Sequence, residues 1–265
     1  MPRVNRTAEE EEARRENGEF IESLDRGLRV LQSFGTEHRP MTLSDIAKAS
    51  NLSRATARRI LLTLQRAGFV AGDERLFSLT PRVLALASAY LSSNQIVAVM
   101  QPLMDEISTR AREVCSLAIL DGQEAVFIAR ASPARVFSAG IDIGYRLPAY
   151  CTSVGRVLLG RLSNDDLTSA IAAMAVTAQT PETVTDKSIV AATIIADRNK
   201  GYSLVDREAE PGFRSISVPI RRYDGAVVAA ANIGAHVDRI TTGEMIDRFL
   251  PLLKDMATTA KPLLV

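Results

Sequence analysis

The chain has 265 residues, 46% of them hydrophobic, which is enough for one large domain or two medium ones with real cores. Its formal net charge is +1, but residues 23–82 hold ten basic against five acidic side chains, a balance that suits a phosphate-binding module. The two cysteines, Cys115 and Cys151, are isolated, which argues against a disulfide frame and a zinc site. The sequence has no apolar run long enough to span a membrane. We therefore expect a cytoplasmic protein without a cofactor or metal.

The N-terminal part of the chain predicts a polar tail followed by a winged helix-turn-helix. Residues 1–19 are rich in Glu and Arg and almost free of apolar side chains, so we expect a disordered tail. Residues 20–80 then predict the winged domain, and its first helix begins with Ser23 as the cap. The buried stripe of that helix is expected to consist of Leu24, Leu28, Leu31 and Phe34.

Two helices separated by a tight bend are predicted for residues 42–67. Asn51 and Leu52 form the bend, and the Ser53 hydroxyl is placed to cap the second helix by accepting a hydrogen bond from a free backbone amide. At 100° per residue this helix has one apolar face and an opposite face with three arginines, the layout of a recognition helix. The apolar face consists of Ala57, Ile60, Leu61 and Leu64.

The segment after the recognition helix favours DNA binding over a merely solvated arginine face. Residues 69–79 predict strand, turn and strand, which together form a wing. We expect Arg58 or Arg59 to read guanine in the major groove and the hydroxyls of Ser53 and Thr63 to hold phosphates. The remaining candidates for the operator contact are Arg54 and Thr56.

The rest of the chain predicts a linker helix and an α+β domain with a mostly antiparallel sheet. Residues 81–94 form the linker helix, which is apolar on several faces and is therefore expected to meet another subunit. Helices are predicted at 95–112, 153–162, 165–174, 187–200 and 241–263, and residues 148–152 are expected to form a loop. Strands are predicted at 114–120, 125–131, 136–143, 202–205, 215–221 and 226–234.

Five short motifs in this order resemble the IclR family of bacterial transcription regulators. They are LTLQRAGFV (62–70), GYRLPAYCTSVGRVLLG (144–160), TVTD (183–186), RNKGYSLVDRE (198–208) and PGFRSISVPI (211–220). The resemblance implies a GAF-like effector-binding domain over 95–265, dimers or paired dimers, a near-palindromic operator and a small organic acid as effector. RNA polymerase is a further candidate partner. LPAYCTSVGRVLL and FRSISVPI are most similar to the branch that controls breakdown of protocatechuate, 4-hydroxybenzoate and the β-ketoadipate pathway.

The resemblance also implies the position of the effector pocket, between the sheet and the loop and helix that follow the LP motif. Ser153 and Val154 match the turn into that helix, where backbone amides and a hydroxyl can hold a carboxylate. Phe213 and Ser215 match the opposite strand. Val205 matches a position that is acidic in some relatives, and its apolar side chain favours a larger, flatter ligand than a two- or three-carbon acid.

Some residues in the second domain have two interpretations. Arg130, Arg135 and Arg146 are candidates for a bidentate clamp on an aromatic carboxylate or for ordinary surface charge. Tyr150 is a candidate for a pocket wall or for a core residue, and Cys151 is expected to be a small buried residue.

The sequence favours a regulator over an enzyme, because a nucleophile, base or metal set is missing. Ser153 does not lie in a GxSxG motif, and the two histidines, His38 and His236, stand far apart. Three alternatives stay open: a regulator of another small-organic-acid pathway, an enzyme acting on such an acid with a fused DNA-binding domain, and an architectural DNA binder with a vestigial pocket.

Overall fold

The computed structural model describes residues 20–34, 39–73, 75–133 and 142–265. Chain packing divides the protein into two compact units, Met1–Tyr90 and Leu91–Val265. The predicted tail over residues 1–19 and the candidate Arg135 lie outside the described residues. Within the described part, no single helix is both long and apolar enough to cross a membrane, and only the neighbouring helices Pro81–Ser93 and Gln95–Ala111 taken together meet that test.

The first unit contains a helix-turn-helix followed by a two-stranded antiparallel wing, as predicted. Its elements are α1 (Glu22–Ser33), α2 (Leu43–Ala49), α3 (Arg54–Arg66), β1 (Val70–Gly72) and β2 (Phe77–Leu79). Thr42 and Asp45 form a reciprocal capping box at the start of α2, and Ser53 caps α3 by accepting a hydrogen bond from the Thr56 amide. The core of this unit is formed by Val30, Phe34, Met41, Ile46, Leu61, Val70 and Phe77.

The first helix differs from the sequence-based prediction in its start and in the face it buries. It begins at Glu22 after an extended Ile21, so Ser23 lies inside the helix and does not cap it. Val30 and Phe34 are buried as core residues, whereas Leu24 and Leu28 are 58% and 50% exposed. The apolar residues of α1 therefore occupy two faces, of which one packs on the core of the unit, and a single stripe was the wrong description.

The linker region begins with a 3₁₀ turn, Pro81–Val83, which Thr80 caps by accepting a hydrogen bond from the Arg82 amide. Helix α4 (Leu84–Ser93) follows and has no buried residue. Leu84 and Leu86 are 63% and 60% exposed. This helix leaves apolar side chains without cover in the single chain.

In its described residues, the second unit has a six-stranded, fully antiparallel sheet with helices on both faces. Its strands are β3 (Val114–Asp121), β4 (Glu124–Ala131), β5 (Arg146–Pro148), β6 (Ser203–Asp206), β7 (Phe213–Arg221) and β8 (Val227–His236), in the order β5-β4-β3-β8-β7-β6. Its helices are α5 (Gln95–Ala111), α6 (Ser153–Leu159), α7 (Asn164–Ala173), α8 (Lys187–Lys200), α9 (Thr242–Glu244) and α10 (Leu250–Ala260), the last two joined by a π-helical turn, Met245–Phe249.

The two faces of the sheet carry different side chains because residues alternate along each strand. On one face, Leu117, Ile216 and Ile233 form the main core with side chains of α5 and α10. The opposite face carries Ser116 and Asn232, which are strand partners across β3 and β8, and α6 packs on this side. The alternation thus leaves a polar strip in the middle of the second face.

One predicted strand is not recovered in the described residues. Residues 136–141 of the predicted strand 136–143 are outside that part, and Asp142 and Ile143 are not in a strand. The edge strand is instead β5, which pairs with β4 over three residues and includes part of the predicted loop at 148–152. Residues Ala149–Cys151 of that loop form a 3₁₀ turn. Three residues ending in a proline are too few to show alternation, so residues 146–148 carry no strand signal of their own.

Candidate functional site

The exposed face of α3 presents basic side chains as a recognition helix requires. Arg54, Arg58 and Arg59 are exposed, while Ala57 and Leu61 on the opposite side are buried. None of these three arginines forms an ion pair with another described residue. The planar guanidinium group matches the geometry of phosphates and base edges.

The hydroxyl-bearing candidates on α3 already have partners within the helix. The Ser53 hydroxyl donates to Thr56 Oγ1 over 3.0 Å and accepts from the Thr56 amide. The Thr63 hydroxyl donates to the carbonyl oxygen of Arg59 over 3.0 Å. Each of these oxygens keeps an accepting lone pair, but a phosphate contact would require the hydroxyl proton to rotate away from its present acceptor.

The wing is tied to the end of α3 by side-chain hydrogen bonds. Gln65 donates to the carbonyl of Gly72 at 3.0 Å, and Thr80 donates to the carbonyl of Gly68. Gly68 has a positive φ of 78°, a conformation suited to glycine where the helix turns into the wing. These bonds fix the wing relative to the helix that carries the arginines.

A cavity of about 460 Å³ lies in the second unit between the sheet and the start of α6. Val154, Val205 and Phe213, three of the predicted effector residues, line it together with Phe127 and Leu147. Ser215, a fourth predicted residue, also lines it. The volume falls within the range of 300–1,000 Å³ that is typical of small-molecule sites, and the walls are mainly apolar.

The predicted ligand Ser153 lies behind the cavity wall and does not line the cavity. It is fully buried, and its hydroxyl contacts Ser215 Oγ at 2.7 Å and Ser217 Oγ at 2.6 Å. These three hydroxyls join the first residue of α6 to strand β7. Its neighbour Thr152 lines the cavity, caps α6 through Gly155 and donates to the carbonyl of Pro148.

Tyr150 is also placed in the protein interior away from the cavity. It is 2% exposed, and its hydroxyl bonds to the backbone of Thr177 and accepts from Gln179. Arg130 and Arg146 do not line the cavity either: Arg130 pairs with Asp142 at 2.8 Å, and Arg146 pairs with two carboxylates, those of Asp121 and Glu124. These ion pairs favour the interpretation of Arg130 and Arg146 as ordinary charged residues over their interpretation as a clamp on an aromatic carboxylate.

Ionisable residues gather where three strands have an end at the same sheet edge. Glu113 directly precedes β3, and both of its carboxylate oxygens accept hydrogen bonds from the Arg239 guanidinium. Burial raises the pKa of Glu113 above its ordinary value, and Arg239 opposes that rise. Arg214 donates to Asp206 and to the carbonyl of Ile240. The ionisable residues of the cavity wall are Glu113, Glu210, Arg214, His236 and Arg239.

A buried ion pair holds the loop that forms another part of the wall. Arg156 on α6 donates to Glu208 Oε2 over 2.7 Å and to the carbonyl of Tyr150 over 2.9 Å. Thr183 donates to the backbone carbonyl of Glu208. Ala209, the next residue, and Glu210 line the cavity, so this network positions the loop between β6 and β7 against the site.

The two cysteines are unsuited to redox chemistry in the folded protein. Both are buried and unpaired, and burial raises the pKa of Cys115 and of Cys151 to about 12. Among the described residues, no cluster of three or more His, Cys, Asp and Glu side chains has the arrangement of a metal site.

Sequence reasoning missed several polar lining residues, notably Ser116, Asn232 and the pair Glu113–Arg239. Ser116 and Asn232 stand in otherwise apolar strand runs, and a polar residue at an inward position is the signal that could have revealed them. The pairing of Glu113 with Arg239 joins positions far apart in the chain and had no local signal.

The two units correspond to two known protein families. Residues 23–74 match the IclR helix-turn-helix domain, and residues 88–261 match the bacterial transcriptional regulator IclR C-terminal domain. The chain belongs to the IclR family of bacterial transcriptional regulators.

Relatives within the IclR family include regulators of aromatic-acid metabolism. The chain is 41% identical to the Pca regulon regulatory protein of Pseudomonas putida over 89% of this chain and 81% of that protein. It is 34% identical to the p-hydroxybenzoate hydroxylase transcriptional activator of Acinetobacter baylyi over 96% of this chain and 94% of that protein.

A solved IclR homologue has a similar fold and was crystallised with an aromatic acid. It comes from Microbacterium hydrocarbonoxydans, is complexed with 4-hydroxybenzoate and is 25% identical to this chain, with a TM-score of 0.74 over 91% of this chain and 98% of that one. The inducer-binding domain of Acinetobacter PobR, a double mutant in complex with 3-hydroxybenzoic acid, is 32% identical, with a TM-score of 0.60 over 63% of this chain and 98% of that one.

Proposed function

We propose that this IclR-family regulator controls an aromatic-acid catabolic operon of the β-ketoadipate pathway and responds to an acid of that pathway. The observation that carries the proposal is the mainly apolar cavity of about 460 Å³ with polar groups on its wall, in a chain that also has a helix-turn-helix. Apolar walls suit a flat ring or a methylene chain, and the polar groups fix its orientation. The similarity to the Pca and p-hydroxybenzoate regulators supports the pathway.

The proposed effector site comprises four of the residues predicted from sequence, Val154, Val205, Phe213 and Ser215. Ser153 supports Ser215 through the hydroxyl contact and so acts on the ligand indirectly. Arg135 and Tyr150 stay predictions from the sequence, and the buried, bonded position of Tyr150 supports a structural role. An effector that contacts Ser215 also acts on the serine cluster linking α6 to β7.

The proposed operator surface is the exposed face of α3. Arg58 or Arg59 reads guanine, Ser53 and Thr63 hold phosphates, and an oligomer reads a near-palindrome. The other proposed operator contacts are Arg54 and Thr56. Exposed apolar side chains on α4 and α1 support self-association as a dimer or a pair of dimers. The same proposal includes a cytoplasmic location for the protein and a contact with RNA polymerase at the promoter.

Calorimetry with protocatechuate, 4-hydroxybenzoate and β-ketoadipate tests the effector class. We expect one of them to bind and to change the affinity for an operator selected from a random duplex library. If none binds, the aromatic branch is refuted, and acids of other pathways become the next candidates.

Mass spectrometry of the same mixtures checks the enzyme alternative, since turnover of the acid would contradict a purely regulatory role. Binding of DNA without any effector response across a broad acid panel would favour the architectural alternative.

A further inference from the structure

One polar side chain on the cavity wall lacks a partner. Asn232 lies in the middle of β8, is 6% exposed and lines the cavity. Its Oδ1 atom is fully buried and has no hydrogen-bond partner among the described residues. Burying a carbonyl oxygen without a donor costs free energy, and an unpartnered group of this kind in a ligand cavity indicates a contact that the ligand completes.

Two other uncharged polar side chains that line the cavity, Thr152 and Ser215, are already engaged. Thr152 donates to the carbonyl of Pro148, and the hydroxyl of Ser215 contacts that of Ser153. Asn232 therefore differs from them in offering an acceptor that the protein does not use. Its strand partners are Ser116 on β3 and Ser217 on β7, so it sits at the centre of the sheet and not at an edge.

The charges of the cavity wall lie away from Asn232. His236 ends β8 four residues further on, about 14 Å along the strand at roughly 3.4 Å per residue. Glu113 and Arg214 stand at the same sheet edge, because β3 and β7 begin where β8 ends. The guanidinium groups of Arg214 and Arg239, paired with Asp206 and Glu113, stand at this edge, whereas the strand residues beside Asn232 are not ionisable. An effector carboxylate therefore has cationic partners at this edge, where it would share them with the protein's own carboxylates.

The wall between these two ends has room for a ring. Gly234 lines the cavity between Asn232 and His236 on β8, and a Cβ atom built on it would have no neighbour closer than 4.0 Å. The absence of a side chain at this position opens the floor of the cavity. Phe213 and Phe127 stand on the neighbouring walls.

We infer that the Asn232 amide turns about its Cβ–Cγ bond to present Oδ1 to the cavity, accepts a hydrogen bond there from a phenolic hydroxyl of the effector and so selects hydroxylated aromatic acids over acids that cannot donate. The inference rests on the proposed aromatic-acid effector and adds the orientation of that ligand. The ring lies over Gly234, the hydroxyl points to Asn232 Oδ1 and the carboxylate points to the charged edge. A carboxylate cannot take the place of the hydroxyl, because it has no proton to donate.

The test compares 4-hydroxybenzoate, 4-methoxybenzoate and benzoate by calorimetry on the full-length protein. The methoxy group has the oxygen but lacks the proton, so we expect it and benzoate to bind at least about tenfold more weakly than 4-hydroxybenzoate. In Asn232→Leu, which keeps the side-chain size but removes the acceptor, this preference should fall to about twofold or less. Val114→Ala is the matched control: it alters the same wall without altering hydrogen bonding, and it should weaken all three acids while keeping their ratio.

The outcomes separate this inference from the proposed function. Equal affinities of the wild-type protein for the three acids, or an unchanged preference in Asn232→Leu, would overturn the role of Asn232 and leave the aromatic effector standing. Preferential binding of β-ketoadipate would overturn the role of Asn232 and the aromatic ligand, and it would leave the proposed control of the β-ketoadipate pathway standing. Failure of every aromatic and β-ketoadipate-type acid to bind would remove both proposals. The wild-type comparison needs no variant, so it decides the inference even if Asn232→Leu does not fold.

Discussion

At the scale of single residues, one exposed side chain of the recognition helix can determine which base pair the protein selects. Arg59 stands on the exposed face of α3, opposite the buried Leu61, and has no ion-pair partner among the described residues. Its backbone carbonyl accepts from Thr63, which helps to hold the last turns of the helix. The helix therefore positions the guanidinium group, and no described carboxylate forms an ion pair with it.

Replacing Arg59 by alanine should weaken operator binding by about 1–3 kcal/mol and relax the choice of one base pair, if the side chain forks onto a guanine. Titration of operator and scrambled duplexes at one salt concentration measures both effects. Arg75 in the wing is the matched basic control, and Arg75→Ala should weaken both duplexes alike. Equal losses on the two duplexes for Arg59→Ala would identify a phosphate contact instead.

Sequence reasoning at this scale succeeded where chemistry is local and failed where it depends on distant partners. The cap at Ser53 follows from a hydroxyl placed before a helical run, and the structure confirms it. The burial of Ser153 between Ser215 and Ser217 depends on strand β7, more than sixty positions along the chain. No pattern around Ser153 could have indicated those partners.

At the scale of elements, the position of α6 against the preceding 3₁₀ turn depends on a glycine, Gly155. A Cβ atom on Gly155 would lie 2.2 Å from the carbonyl oxygen of Ala149 and 2.3 Å from its Cα, both of them backbone atoms. The 3₁₀ turn and the first turn of α6 therefore pack directly against one another. This close approach places Thr152 and Val154 on the cavity wall.

Gly155→Ala should destabilise the second unit by about 1–3 kcal/mol or more, because backbone atoms cannot move aside as a flexible side chain can. The same variant should weaken effector binding, since the turn that lines the cavity must shift. Thermal denaturation and calorimetry measure the two effects. Gly243→Ala is the control in the same unit, because its nearest neighbour is at 3.9 Å, and it should change neither value appreciably. Unchanged stability of Gly155→Ala would contradict the packing argument.

Most strands and helices of the second unit could be predicted from periodicity and turn residues, because each carries its own signal. Helix α8, from Lys187 to Lys200, has the predicted bounds, and in the structure Asp186 caps its start and Gly201 follows its end. Strand β5 could not be predicted, because its three residues owe their conformation to pairing with β4. A short edge strand is a property of the sheet and not of its own sequence.

At the scale of the whole molecule, the exposed apolar surface is more than a single chain requires. Helix α4 buries none of its side chains, and Leu84, Leu86 and Tyr90 are all exposed on it. Surface of this kind marks interaction sites in soluble proteins. Self-association would cover it and would also bring two recognition helices to the two halves of an operator.

Leu86→Glu should shift the protein toward a monomer and weaken operator binding, because a buried carboxylate without a partner opposes association. Light scattering over a range of protein concentrations measures the mass. Ile189→Glu is the matched control, since Ile189 is also exposed, at 53%, but lies on α8. An unchanged mass for Leu86→Glu would show that α4 is not the interface.

The network around Arg156 has a consequence for the order in which the protein gains its activity during folding. One guanidinium joins the carbonyl of Tyr150 with the carboxylate of Glu208, a partner 52 positions along the chain. Contacts between distant positions must wait for the closure of long loops, and they slow folding. We therefore expect the cavity to assemble late in folding, so that a newly made chain responds to its effector only once this long-range ion pair has formed.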